Sequence, residues 1–91
     1  MKKVFVLIEK DFFREKFSDY ASAIGERDVM LFSEYESAER ERLKRIECVL
    51  DIQPDYCVSE SVIRDYANYI ILRTKDSRFR IVFEIWEKEI L

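Results

Sequence analysis

The fold of this chain is decided most clearly by residues 78–86, RFRIVFEIW, which alternate in the manner of a half-buried β-strand. The apolar set is expected to face a core, and it consists of Phe79, Ile81, Phe83 and Ile85. The other set is expected to face outward, and it consists of Arg78, Arg80, Val82, Glu84 and Trp86. Arginine and tryptophan are enriched at protein interfaces. We therefore predict a strand with one face in the core and one contact face, which is not a reaction centre.

The residues before this strand predict a hairpin. Lys75-Asp76-Ser77 is a polar three-residue turn that would join a strand over 69–74 to the strand over 78–86. Residues 59–72 fit both a helix and a strand, and we divide them near Asn68 into a short helix followed by the strand.

The first half of the chain predicts two strands and two helices. Residues 2–9 and 28–32 are apolar runs typical of inner strands, and the first should lie centrally in the sheet. A helix is predicted from about Phe12 to Ile24, because apolar residues recur at helical spacing before Gly25, the only glycine.

A second amphipathic helix is predicted from Ala38 to about Leu50. Ser33 and Glu36 could form its capping box, although Ser37 competes as the cap. Glu41 and Arg45 are spaced for an i,i+4 ion pair, and Pro54 prevents the helix from continuing.

These elements predict a small two-layer α/β or α+β domain in the order β-α-β-α-(α)-β-β, with a C-terminal hairpin and helices on one side of the sheet. Hydrophobic residues make up 48% of the 91 residues, so we expect a packed globule, and the length fits a single domain over 1–91.

The net charge is −3, which argues against DNA binding over the whole surface. The charges are unevenly distributed: every charged residue within 46–63 is acidic, whereas the charged residues within 73–80 are mainly basic. Such bias is usually a solvated surface.

Two cysteines are too few for a disulfide scaffold. We expect Cys48 and Cys57 to be free, small buried thiols in a reducing, cytoplasmic setting. The apolar run over 4–8 is shorter than the core of a secretory signal, and no run is long enough to span a membrane.

Several kinds of chemistry are disfavoured by the composition. The chain has no histidine, which removes the commonest general base and the commonest metal ligand. A phosphate-cradling loop needs several glycines, and the spacing of the cysteines does not suit a zinc site. We therefore predict no catalytic residues, no metal and no cofactor.

Carboxylates leave one alternative open, a metal-dependent or receiver-like domain that uses Asp11 and Asp51. The stretches at 4–11, 48–55 and 69–74 faintly resemble the acidic pocket, phosphoacceptor strand and threonine strand of response-regulator receiver domains. The resemblance implies that Asp51 is the phosphoacceptor and Thr74 its hydroxyl partner. The chain departs from that pattern in its separated acids, its single glycine and its shorter length.

A nucleic-acid-binding regulator is the other alternative. Basic and aromatic residues mingle in the predicted hairpin, where they could hold phosphates and stack bases: Tyr69, Arg73, Lys75, Arg78, Phe79, Arg80 and Trp86. The acids Glu84, Glu87 and Glu89 flank this set and would repel a phosphate backbone.

By elimination, we predict a small non-catalytic protein-binding module, such as an inhibitor, an immunity or antitoxin-type protein, or an adaptor. The partner would be another protein or a second copy of the chain, and no membrane is involved. The predicted partner-binding residues are Arg73, Arg78, Arg80, Val82 and Trp86.

Overall fold

Five antiparallel strands and one helix make up the part of the chain described by this computed structural model, residues 2–13, 25–64 and 66–90. The elements are β1 (Lys2–Phe13), β2 (Gly25–Phe32), α1 (Tyr35–Ile52), β3 (Tyr56–Arg64), β4 (Ala67–Thr74) and β5 (Phe79–Ile90). The strands form one sheet in the order β2-β1-β5-β4-β3. The fold is therefore α+β, and it differs in element order from the prediction.

The central strand is β5, which contains residues 79–86 of the alternating stretch that predicts a strand. It pairs with β1 from Lys2↔Ile90 to Phe13↔Phe79 and with β4 on its other side. Ile81, Phe83 and Ile85 are in the core clusters, as predicted, but Val82 and Glu84, which are predicted to face outward, are buried as well. Phe79 is 42% exposed, because it is the first residue of the strand and lies beside the turn.

The core lies between α1 and one face of the sheet. One cluster joins Ile46 of the helix to Leu72, Ile81 and Phe83, and a second joins Ala38 to Leu7 and Ile85. Each fully buried aliphatic or phenyl side chain contributes about 1.5–3 kcal/mol relative to an exposed one. The apolar stripe of α1 thus holds the helix on this face.

Helix α1 extends the predicted helix at both ends. Its N-cap is Glu34, in an extended conformation and with no side-chain cap hydrogen bond. The predicted capping box of Ser33 and Glu36 is therefore wrong, and so is the alternative cap Ser37, because the N-cap is the residue after Ser33 and three residues before Ser37. The helix stops at Ile52, two residues before Pro54, which agrees with the prediction that Pro54 prevents it from continuing. The predicted pair between Glu41 and Arg45 is confirmed at 2.9 Å.

A polar network joins α1 to the start of β4. The buried Arg42 guanidinium donates to the side-chain oxygen of Asn68, and the Asn68 amide donates to the Tyr35 hydroxyl at 3.0 Å. Burial lowers the pKa of Arg42, while Tyr35 and the carboxylate of Glu39, 3.9 Å away, act in the opposite direction. A buried cation is costly unless it is hydrogen-bonded, so these partners fix the position of the helix on the sheet.

The predicted short helix between 59 and 68 is wrong. Residues 56–64 form β3, which pairs with β4 and carries a register shift between Val58 and Glu60. Val62 and Ile63 are β-branched and suit a strand, and pairing with β4 overrides a helical spacing that was only local. The prediction of β2 as an inner strand is also wrong, because β2 is at an edge of the sheet formed by the described strands and exposes Val29 and Leu31.

The predicted first helix begins where β1 still continues. Phe12 and Phe13 are strand residues that lie opposite Arg80 and Phe79, so the prediction is wrong at its start. Its remainder, 14–24, lies outside the described residues.

The connection between β4 and β5 has four residues, 75–78, rather than the predicted three. Ser77 adopts a positive φ of 59°, and its backbone N–H donates to the carbonyl oxygen of Thr74 at 2.9 Å. Asp76 accepts hydrogen bonds from the Thr74 hydroxyl at 2.7 Å and from the backbone N–H of Arg78 at 3.0 Å. These two bonds lower the pKa of Asp76.

Candidate functional site

The sheet face opposite α1 is the candidate site, and we call it the outer face. Residues directly opposite each other in an antiparallel pair share a face, and successive residues alternate. Because Ile81, Phe83 and Ile85 contact the helix side, the even-numbered residues of β5 and their partners form the outer face. Its described side chains are Val29, Leu31, Lys2, Val4, Val6, Ile8, Lys10, Phe12, Arg80, Val82, Glu84, Trp86, Lys88, Ile90, Ala67, Tyr69, Ile71, Arg73, Cys57, Glu60, Val62 and Arg64.

Four of the five predicted partner-binding residues lie on the outer face. Arg80, Val82 and Trp86 follow one another along β5, and Arg73 of β4 is directly opposite Arg80. Arg78 is separate from them, because it is an exposed residue of the turn. Val82 is only 7% exposed, whereas Trp86 is half-buried. The pairing of β4 with β5 therefore brings the two arginines together beside the apolar centre of the face.

The Trp86 indole is held by three neighbours. Its Nε1–H donates to Oε1 of Glu84 at 2.8 Å, and the Tyr69 ring meets it edge-on with ring centroids 6.1 Å apart. The Lys88 ammonium lies 4.9 Å from the centroid of the indole. A hydrogen bond and two ring contacts restrict its rotamers, so the indole is presented in one orientation.

Glu84 is a residue whose role the sequence did not reveal. The sequence predicts an outward acid that would repel phosphate, but the side chain of Glu84 is only 7% exposed. It pairs with the ammonium of Lys10 at 3.2 Å and accepts the indole hydrogen bond. A signal did exist, because an acid within a strongly apolar strand and two residues before a tryptophan is expected to have partners.

A cation lies over each of the three aromatic rings that the structure describes on the outer face. Arg80 lies 4.8 Å from the centroid of Phe12, and Arg64 lies 5.9 Å from that of Tyr69. Lys88 over the indole is the third case. Such contacts hold a cation at the surface while its remaining donors point away from the ring.

The outer face contains a depression of about 350 Å³. Its lining combines apolar, aromatic and charged side chains: Phe12, Val62, Tyr69, Ile71, Val82, Arg64, Arg80, Glu60 and Glu84. The volume is in the range of ligand and anchor pockets. The depression, with Trp86 beside it, therefore offers a partner both a concave surface and polar side chains.

The described side chains of the outer face are mainly basic. Six are cations (Lys2, Lys10, Arg64, Arg73, Arg80 and Lys88) and two are carboxylates (Glu60 and Glu84), which gives a difference of plus four. The whole chain has a net charge of −3. Cations therefore outnumber carboxylates among the side chains that the structure describes on this face.

Asp11 and Asp51, on which the metal-dependent or receiver-like alternative depends, lie on different elements. Asp51 is an exposed residue in the last turn of α1, so the phosphoacceptor strand implied by the receiver resemblance is wrong. Asp11 is half-buried on β1. The described residues contain no group of three or more aspartate, glutamate, cysteine or histidine side chains that could hold a metal ion.

The thiols of Cys48 and Cys57 are free, as predicted, but both residues are exposed rather than buried. Cys48 is on α1 and Cys57 is on β3. In the described part of the chain, no helix combines the length and the apolar character needed to cross a bilayer.

Comparison of the chain with protein-family models finds no match, and searches of curated proteins and of solved structures likewise find no significant match.

Proposed function

We propose that this chain is a small non-catalytic protein-binding module that acts on another macromolecule as an inhibitor, an immunity or antitoxin-type protein, or an adaptor. The binding surface is the outer face of the sheet. The observation that carries the proposal is the Trp86 indole, half-buried and held by Glu84 beside the depression, with Arg73 and Arg80 on the same face.

The energetics of interfaces support this assignment. Tryptophan and arginine are the commonest hot-spot residues, and truncating one costs about 2–4 kcal/mol of binding free energy. Binding also loses affinity when flexible side chains must be ordered, at about 0.5–1.5 kcal/mol each. Because the hydrogen bond to Glu84 already restricts the Trp86 side chain, less of this cost remains at the moment of binding.

The test is affinity capture from native lysate with a matched pair of double variants. The variant W86A/R80A removes two residues of the outer face, and the control L43A/R40A removes an exposed leucine and an exposed arginine from α1. We expect a partner that binds the wild type and the control and is lost at least 100-fold with W86A/R80A.

Circular dichroism and the urea midpoint establish that both variants are folded. Retention of the partner by folded W86A/R80A, or equal loss with the control, contradicts the proposal. If W86A/R80A does not fold, the milder W86F/R80Q variant replaces it in the same comparison.

Nucleic-acid binding is the second candidate, and the paired arginines favour it. Arg73 and Arg80 lie directly opposite each other, and Tyr69 is on the same face. A single-stranded oligonucleotide bound there should lose affinity steeply with salt, because each phosphate contact releases counterions. Fluorescence anisotropy of a labelled dT₁₅, titrated with the protein at 50 and 200 mM salt, tests this. If adding the protein leaves the anisotropy unchanged at both salt concentrations, the candidate is excluded.

A further inference from the structure

We infer that the chain forms a dimer through one edge of its sheet, in which β3 pairs antiparallel with β3 of a second copy. The register places Glu60 of each copy directly opposite Arg64 of the other. The dimer is separate from the proposed function, because pairing at an edge leaves the outer face of the sheet open. Three observations support it: the position of β3, the pattern of its charges, and the exposure of its apolar residues.

The position of β3 gives the sheet an edge that can be extended. Strand β3 is the last in the order β2-β1-β5-β4-β3, and β4 is its only neighbour among the described strands. Seven of the nine residues of β3 are exposed. Backbone N–H and C=O groups that point away from a neighbouring strand form a template for pairing with another chain. A strand from a second molecule can therefore be added beside β3.

The regular part of β3 is the stretch 60–64. A register shift between Val58 and Glu60 interrupts the pairing with β4, whereas each residue from Glu60 to Arg64 has its own partner on β4. A bulge protects an edge only where it distorts the strand, and the stretch 60–64 contains neither proline nor lysine, which often protect edges. Two antiparallel copies of this stretch overlap over its whole length when Val62 lies opposite Val62.

The charges of the stretch are complementary to those of a second, antiparallel copy. With Val62 opposite itself, Glu60 lies opposite Arg64 twice, once on each side of the two-fold axis. Glu60 and Arg64 are both on the outer face, as direct cross-strand partners must be. Opposite charges in this arrangement are stabilising and like charges are destabilising. A register displaced by two residues in either direction loses both pairs, so the charges and the regular stretch select the same register.

The contacts of these two side chains within the chain are compatible with the dimer. The carboxylate of Glu60 is 3.4 Å from the guanidinium of Arg73, and the side chain of Glu60 is 48% exposed. A carboxylate offers about four acceptor sites, so it can accept from a second guanidinium as well. Arg64 is exposed and lies 5.9 Å from the centroid of the Tyr69 ring. A guanidinium stacked on a ring keeps N–H donors at its edge for a carboxylate.

The apolar side chain of Ile63 gains a contact in this register. Ile63 is 84% exposed and lies on the helix side of the sheet, opposite Asn68, whose side chain bonds to α1. In the dimer it lies opposite Ser61 of the second copy, and Ser61 pairs with Ile70. Ile70 lines a groove of about 340 Å³ beside α1, together with the exposed Leu43. Serine is small, so Ile63 can lean over it toward this groove and cover apolar surface.

The first experiment measures the mass of the full chain by size-exclusion chromatography with light scattering, from micromolar to millimolar concentration. We expect the mass to rise with concentration toward twice the 11.1 kDa of the chain. E60K and R64E each place like charges opposite each other and should raise the dissociation constant of the dimer at least tenfold. The double variant E60K/R64E restores opposite charges, and its dissociation constant should return to within threefold of the wild type.

Control variants change the net charge by the same amounts at another surface. E47K and K44E replace exposed residues of α1, and each should change the dissociation constant less than twofold. Circular dichroism establishes that every variant is folded. If E60K is unfolded, R64E and the disulfide comparison below test the same register.

The second experiment tests the register with a disulfide. Residues directly opposite each other in an antiparallel pair have Cα atoms about 4.5–5.5 Å apart, which a disulfide spans. Residues displaced by four positions are about 14 Å apart, which is too far. In a chain with both exposed cysteines replaced, C48S/C57S, we expect V62C to form an intermolecular disulfide under mild oxidation and R64C to remain a monomer.

Three results would overturn the inference. The first is a monomeric mass at every concentration, including the case in which β3 pairs only with a strand of a different protein. The second is a dimer whose dissociation constant is the same in E60K and R64E as in the wild type, because such a dimer uses another surface. The third is cross-linking of R64C as fast as that of V62C. None of these results bears on the capture experiment with W86A/R80A, so the failure of either proposal is recognised separately.

Discussion

Replacing Glu84 by glutamine tests the arrangement that holds Trp86 in place. The side chain of Glu84 is 7% exposed and that of Lys10 is 27% exposed, and the two charges are 3.2 Å apart. An exposed ion pair contributes about 0–1 kcal/mol, and removing one partner of a fully buried pair costs about 3–5 kcal/mol. Lys10 is partly exposed and its ammonium can reach water when the carboxylate is lost. We therefore expect E84Q to lower the free energy of unfolding by about 1–2 kcal/mol.

The assay is urea unfolding followed by circular dichroism. With a denaturant slope of about 1–2 kcal/mol per molar, this loss moves the midpoint down by about 1 M. The glutamine oxygen can still accept the indole hydrogen bond, so the Trp86 emission of the folded state should be unchanged. E60Q is the control, because Glu60 is 48% exposed and pairs with Arg73 at 3.4 Å, and it should change the stability by less than about 0.5 kcal/mol. A midpoint for E84Q equal to that of E60Q would refute the reasoning.

The remaining predictions concern the core, the helix and the turn. Phe83→Ala should lower the stability by about 3–5 kcal/mol, because it opens a cavity under α1; a loss below about 1 kcal/mol in urea unfolding would contradict the assigned core. Arg42→Met should cost about 1–3 kcal/mol in the same assay, because it leaves the Asn68 carbonyl without its donor; an unchanged midpoint would show that the network is dispensable. Thr74→Val should raise the pKa of Asp76, because the ionised carboxylate loses a hydrogen bond. The wild-type pKa is depressed, so its contribution to stability is present at neutral pH and is lost as the pH falls through that low pKa. A ¹³C NMR titration that gives the same Asp76 pKa in both proteins would contradict this account.

Strands β4 and β5 and helix α1 could be predicted because their signals are long and periodic. Alternation places Ile81, Phe83 and Ile85 on one face of β5, and the helical spacing that ends at Leu50 agrees with α1. The stretch from 59 to 68 could not be resolved locally, because its apolar residues fit both periods. Pairing with the adjacent strand β4 selects a strand for this stretch, and the periodicity of the stretch alone does not include the contribution of those cross-strand partners.

The candidate site was only partly visible in the sequence. The sequence indicated an outward Trp86 with neighbouring arginines, since strand alternation fixes which residues share a face. It did not indicate Phe12, which was assigned to a helix, or Lys10, which reaches Glu84 only because β1 pairs with β5 in this register. Contacts across strands that are distant in sequence depend on register, and a single sequence does not specify register.

The central claim is that the outer face is the binding surface, and the emission of Trp86 tests it most directly. The partner recovered by affinity capture is titrated into the wild-type chain and into the control L43A/R40A, with excitation selective for tryptophan and a partner produced without tryptophan. We predict a saturable change in the Trp86 emission, with the same midpoint as binding measured by calorimetry, in both proteins. Binding by calorimetry with no change in the Trp86 emission would contradict the account.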